Sequence, residues 1–224
     1  MKLIILKILY LSSIHLICLA GCGSNNPSGY DDQNNNNNNQ TETVTDIDGN
    51  VYQTVSIGNQ IWMTENLKST RLNDGTPIEN VPGSYQWTNL VTPAYCWLNN
   101  DETNKDTYGA FYNYYTVSTG LLAPAGWHVP SEDEFRTLLD YLGGESLAGE
   151  RLYEIGFRAQ GAGQLASEPG EFNLFPDLDK YWTTTTGGWE PTDIKYFILT
   201  RTDPEVHWSS HPKSAGHSVR CIRD

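Results

Sequence analysis

The chain has 224 residues, with 27 Asp and Glu against 14 Lys and Arg, and a formal net charge of −13 at pH 7. That acidity excludes nucleic acid as a partner, and it excludes attraction to an anionic membrane by charge, because both need clustered cations. A length of this order, with 38% hydrophobic residues, supports one domain with its own packed core.

The chain opens with Lys2 and Lys7 at the head of an apolar run that reaches Ala20 and is broken by Ser12, Ser13 and His15. This is the layout of a secretory leader, and the run is too short and interrupted for a membrane span. It ends Leu19-Ala20-Gly21-Cys22. Small residues before a cysteine at this place resemble the lipobox of bacterial lipoproteins. The resemblance implies removal of residues 1–21, diacylation of the Cys22 thiol and acylation of the new amino group. Two or three such chains anchor stably, since each buried methylene adds about 0.8 kcal/mol. Residues 22–44, including the run Asn34 to Asn39, offer almost nothing to bury and read as a disordered tether. Such a tether reaches roughly 25 Å. Asp31-Asp32 resembles the export signals of Bacteroidetes surface lipoproteins. The expected address is the outer membrane, with the domain held there by lipid and facing outward.

The folded domain is expected over residues 45–224. Asp46-Ile47-Asp48-Gly49-Asn50 fails the calcium-loop template, which wants glycine where Val51 stands and glutamate where Ile57 stands. It reads instead as a turn feeding a strand. Val51, Gln53, Val55 and Ile57 alternate with Tyr52, Thr54 and Ser56, which is period two. Gly58-Asn59 turns the chain, and Ile61-Trp62-Met63 starts the return strand. Asn73-Asp74-Gly75 is a further turn. Tyr95-Cys96-Trp97-Leu98 is a short buried strand.

The next segment, Asn99 to Asp106, is dense in oxygen-bearing side chains. Asn99, Asp101 and Asp106 are candidate calcium ligands, although a solvated loop has the same composition. Phe111, Tyr114 and Tyr115 sit at helical spacing and predict a short helix.

Trp127-His128-Val129-Pro130 is extended, with Val129 restrained by the following proline. Ser131 then caps a helix and Glu134 completes a capping box. Glu132, Asp133 and Glu134 favour the positive end of the helix dipole. Phe135, Leu138, Leu139 and Leu142 form its apolar face, and Gly143-Gly144 ends it. Every acid in this stretch has a structural reason to be there, so it is not read as catalytic.

The remainder reads as strands and loops. The glycines from Gly156 to Gly163 lack the basic residue and hydroxyl of a phosphate loop. Tyr181 to Thr186, Tyr196 to Thr200 and Gly216 to Arg223 are predicted strands. His207, His211 and His217 fall close together and are the candidate ligands of a metal-assisted enzyme, but Trp208 and Pro212 argue against a helix there and a polar loop is the plainer reading. Cys96 and Cys221 are the two cysteines of the mature domain. They form either a disulfide or two separate buried thiols.

Several motifs occur in one order. They are Asp46 to Tyr52, Ile57 to Leu67, Asn73 to Ile78, Tyr108 to Asn113, Gly126 to Ser131 and Ser218 to Cys221. Together they resemble the Fibrobacter succinogenes major paralogous domain family across nearly all of residues 45–224. The resemblance implies a secreted or lipid-anchored protein of Bacteroidetes or related bacteria, and it brings no activity with it. Ala123 stands where some members carry a cysteine, and His217 where an aromatic is usual. Val129 to Phe135 is also similar to a helix start in formylglycine-generating enzymes, whose fold is a variant of the C-type lectin fold. The copper-binding cysteine pair of those enzymes has no counterpart here.

The sequence therefore predicts a loop-rich α+β domain of C-type-lectin-like type, with mainly antiparallel strands and at least two short helices. It has no expected cofactor, and its partners are a membrane, through the lipid, and a glycan or protein ligand. The competing readings are a structural envelope component and the metal-assisted enzyme.

Overall fold

A computed structural model describes residues 42–82, 85–166, 171–173 and 177–224. The leader, Cys22 and the tether as far as residue 41 lie outside these residues. The architecture is α+β, with four small sheets and five short helices among the described residues.

The N-terminal sheet begins with β1 (Thr43–Thr45), which takes in Thr43 and Val44 from the end of the segment that composition assigns to the tether. It pairs antiparallel with β2 (Val51–Ile57), and β2 pairs with β3 (Gln60–Met63) across the Gly58-Asn59 turn. The hairpin is as the period-two pattern predicts. Asp46 wires its base. The Asp46 carboxylate accepts the backbone N–H of Asp48 and Asn50, the Tyr52 hydroxyl at 2.6 Å and the Ser69 hydroxyl at 2.5 Å. Asp48 accepts the Thr70 amide and the Arg71 Nε. The acidic loop is thus filled by the chain's own donors.

A second sheet contains β4 (Glu79–Asn80), β5 (Ala94–Trp97) and β6 (Ala110–Tyr112). The short helices α1 (Tyr85–Thr88) and α2 (Lys105–Tyr108) flank β5 in sequence. Helical spacing predicts one helix through Phe111 and Tyr115, and the structure corrects it. Phe111 lies in β6 opposite Cys96, because aromatics pair well on a pleated surface. Only α3 (Tyr114–Val117) is helical, begun by Asn113, whose side chain accepts the Thr116 N–H.

After β7 (Trp127–His128) comes α4 (Glu132–Tyr141), with the reciprocal Ser131–Glu134 capping box in place. Phe135 and Leu138 are fully buried. The following helix, α5 (Glu145–Glu154), is absent from the sequence reading. Then come β8 (Gln164–Leu165) and β9 (Phe172–Asn173), which pair together, and a three-stranded meander of β10 (Leu178–Thr186), β11 (Ile194–Thr200) and β12 (His207–His211).

The C-terminal segment is the spine of the molecule. Every residue from Ala215 to Ile222 is buried. A single continuous strand is expected here, but only β13 (Ile222–Arg223) is a ladder strand, lying between β3 and β7. Upstream of it, Gly216, His217 and Ser218 each bridge a different neighbour, namely Leu165, Tyr112 and Tyr181. A segment that must satisfy three neighbours in turn cannot stay in register with one of them.

The cysteines are separate buried thiols rather than a disulfide. Cys96 packs with Trp87 and Phe111, and Cys221 packs in another cluster with Tyr112 and Trp182. No described helix is long and apolar enough to cross a membrane.

Candidate functional site

A cleft of about 360 Å³ lies between the first turn of α4 and the β10–β11–β12 meander. The capping box fixes the start of α4, so Glu132 and Arg136 project together one helical turn apart. Strand register supplies the opposite wall, where Lys195 on β11 lies across from Ser210 on β12. Trp208 is two residues from Ser210 and so faces the same side of the sheet.

The floor is an ion network. Glu132 Oε1 accepts from Arg136 Nη2 at 2.6 Å, and Glu132 Oε2 lies 2.6 Å from Lys195 Nζ. Arg136 Nη1 donates to Glu145 Oε1 at 2.6 Å, and the same oxygen accepts the Trp208 indole N–H at 2.8 Å. The guanidinium lies 4.9 Å over the Trp208 ring. Burial works against the Glu132 charge, but hydrogen bonds from Lys195 and Arg136 outweigh it and hold the carboxyl below its ordinary value. Glu132 is therefore ionised at neutral pH and has no proton to donate.

The rim carries Trp189, whose side chain leaves the residue 86% exposed. Its backbone is nonetheless fixed. The Trp189 N–H donates to Ser210 Oγ, and that hydroxyl donates to the buried Asp193. Gly188 makes the approach possible, since a Cβ there would sit 2.0 Å from Ser210 Oγ. The backbone of this loop is thus fixed, and the indole it carries is open to a ligand.

The residues singled out from sequence fall elsewhere. His128 is clamped, with Nδ1 at 2.6 Å from Asp224 Oδ1 and Nε2 at 2.7 Å from Glu134 Oε1. Burial opposes its charge, but the two carboxylates raise its pKa above the ordinary value. The three late histidines do not converge. His207 is exposed and pairs with Asp203 at 3.2 Å, and on β12 it lies roughly 13 Å along the strand from His211. His211 and His217 do meet, Nδ1 to Nε2 at 3.0 Å with stacked rings. Burial, followed by neighbouring positive charge, pushes His211 down to about 4 and His217 well below its usual range. His217 packs 4.3 Å from the Trp182 ring and 4.6 Å from the Tyr196 ring.

The acidic loop does not form a ligand set either. Asp101 accepts from the Thr103 N–H and hydroxyl, and Asp106 pairs with Lys68 at 2.7 Å. Asn99 takes a left-handed backbone conformation. Among the described residues no group of three or more His, Cys, Asp or Glu is arranged to hold a metal ion.

Sequence reasoning missed Arg136, Trp189, Lys195 and Trp208. One signal was available. Gly187-Gly188-Trp189 sits between two strand-forming runs, which puts a tryptophan in a hairpin loop where no core can take it.

The fold and the cleft define a small α+β domain with an open groove lined by aromatic and charged side chains. The chain matches the sequence profile of the Fibrobacter succinogenes major domain over residues 55–223, and it belongs to that family. No curated protein and no solved structure matches it.

Proposed function

We propose that the chain is a non-catalytic binding module that engages a glycan through the cleft beside Trp189, on a loop-rich fold of C-type-lectin-like type. The observation that carries this reading is the tryptophan itself, bare on its ring, fixed at its backbone and standing over a groove of hydroxyl and charged groups. Ligand pockets combine apolar surface with a few convergent polar groups in this way. The network supports binding over chemistry, because both Glu132 oxygens are already engaged by cations and the Ser210 hydroxyl is held between Asp193 and the Trp189 N–H. The module is held at the outer membrane, facing outward, by lipid on Cys22.

The test is a glycan array and an envelope-glycan pull-down with the full chain and its Trp189→Ala variant. Binding by the parent and its loss in the variant, at an unchanged melting temperature, is the expected result. An empty array together with an empty pull-down refutes the reading, and stable oligomers in that case would point to a structural envelope component. Labelling with radioactive palmitate, abolished by Cys22→Ala, tests the anchor.

A further inference from the structure

Resting on that reading, we infer that the cleft selects an uncharged glycan and discriminates against both acidic and amino sugars. The floor holds two cations, Arg136 and Lys195, and two carboxylates, Glu132 and Glu145, joined by three contacts of 2.6 Å. Their charges cancel inside the cleft, so no unpaired charge is left to recognise an ionised ligand.

A uronate or sulfate that takes a spare donor of Lys195 would set its charge beside the ionised Glu132, whose side chain is only 10% exposed and already shares both cations. Drawing either cation off to relieve that repulsion would leave a largely buried carboxylate with one partner instead of two, which is unfavourable. The rest of the chain adds to the discrimination. Its formal charge is −13, and Glu190, next to Trp189, is exposed and places another acid at the rim. An amino sugar meets the mirror problem, since taking a carboxylate for its ammonium would leave Arg136 or Lys195 in the cleft without its counter-charge.

A neutral hydroxyl does neither. Lys195 Nζ has three donors and the network uses one of them on Glu132. A carboxylate oxygen has a second lone pair to offer. A sugar hydroxyl both accepts and donates, so it can bridge Lys195 and Glu132 without separating them. The ring C–H face then has the open indole of Trp189 to lie against. Recognition of this kind is built on stacking and neutral hydrogen bonds, which salt screens little.

The experiment is titration calorimetry of the full chain against three oligosaccharide sets matched in length, namely neutral, uronate or sulfated, and amino sugar. The neutral set is expected to bind at least about tenfold more tightly than either charged set, a gap of about 1.4 kcal/mol. Its affinity is expected to change less than about twofold when salt is raised severalfold. Glu145→Gln, which keeps an oxygen for the Trp208 indole but removes a charge, is expected to gain affinity for the uronate set, and its melting curve reports that it folds. A charged set that binds as tightly as the neutral one overturns the inference while leaving the glycan reading intact. So does a Glu145→Gln variant that folds and gains nothing. Failure of all three sets to bind any form removes the glycan reading and the inference with it.

Discussion

Arg220 is the most informative residue to perturb. It is fully buried in the Ser-Val-Arg-Cys segment, and among the described residues no carboxylate pairs with it. Its Nη1 donates to the carbonyls of Thr64, at 2.8 Å, and Phe157. Nε and Nη2 both reach Asn66 Oδ1, and Nη2 also lies 3.3 Å from the Tyr181 hydroxyl. The guanidinium faces the Phe157 ring at 4.4 Å and the Tyr181 ring at 5.3 Å. It is also one of two cations opposing the burial that raises the pKa of Asp179, itself fully buried. Replacement by methionine keeps the volume of the stem but leaves at least three acceptors without a donor. Each buried orphan costs about 1–3 kcal/mol. Partial relaxation brings the sum to about 4 kcal/mol, which matches the cost of breaking a buried pair. Against a total stability of about 5–15 kcal/mol, this is roughly a quarter to four fifths of the margin. Lysine keeps the charge but not the fork, and it should lose about half as much. Urea unfolding followed by tryptophan fluorescence measures both. If Arg220→Met were within about 1 kcal/mol of the parent, the assignment of this cation as the centre of the hydrogen-bonding core would be wrong.

Two other perturbations have signs that the structure fixes. Gly149 lies inside α5, where alanine ordinarily stabilises by about 1 kcal/mol; here a Cβ would sit 2.7 Å from the Pro204 carbonyl oxygen, so Gly149→Ala should destabilise by about 1–3 kcal/mol and lower the melting temperature. His128 should make stability pH-dependent. Its folded pKa is raised, so its contribution is complete below the unfolded value of about 6.5 and fades as pH climbs through the folded value. For its partner Glu134, burial opposes the charge but hydrogen bonds from Ser131 and His128 prevail and lower the pKa, so that group's contribution is lost only as pH falls through its depressed value. Denaturant titrations of the parent and His128→Gln should therefore differ most below about pH 6.5 and converge as pH climbs through the raised folded value. A constant gap across that range would refute the clamp.

What could be read from sequence was local in origin. The α4 start was legible because Ser131 and Glu134 satisfy each other three residues apart, and the first hairpin because alternation and a two-residue turn specify it without outside help. α5 was not legible, since the reason for a glycine in its middle is a carbonyl from Pro204, far along the chain. The polar-loop reading of the late histidines did not anticipate β12 or the buried His211–His217 pair, because spacing has no meaning before the element is known. Four residues on a helix share a face within one turn, whereas four on a strand span roughly 13 Å. His217 illustrates the converse. The structure packs its ring against those of Trp182 and Tyr196, where a flat ring is what the packing needs. The same division separates fold from ligand. Asp46, Asn66, Cys221 and Arg220 lie in the segments that carry the family resemblance, and all are buried and committed to internal wiring or packing. Glu132, Arg136, Trp189, Lys195 and Trp208 lie outside those segments and meet only through the tertiary register of α4, β11 and β12. Motifs that assemble a scaffold therefore identify this family, while the cleft is built from residues that those motifs leave free.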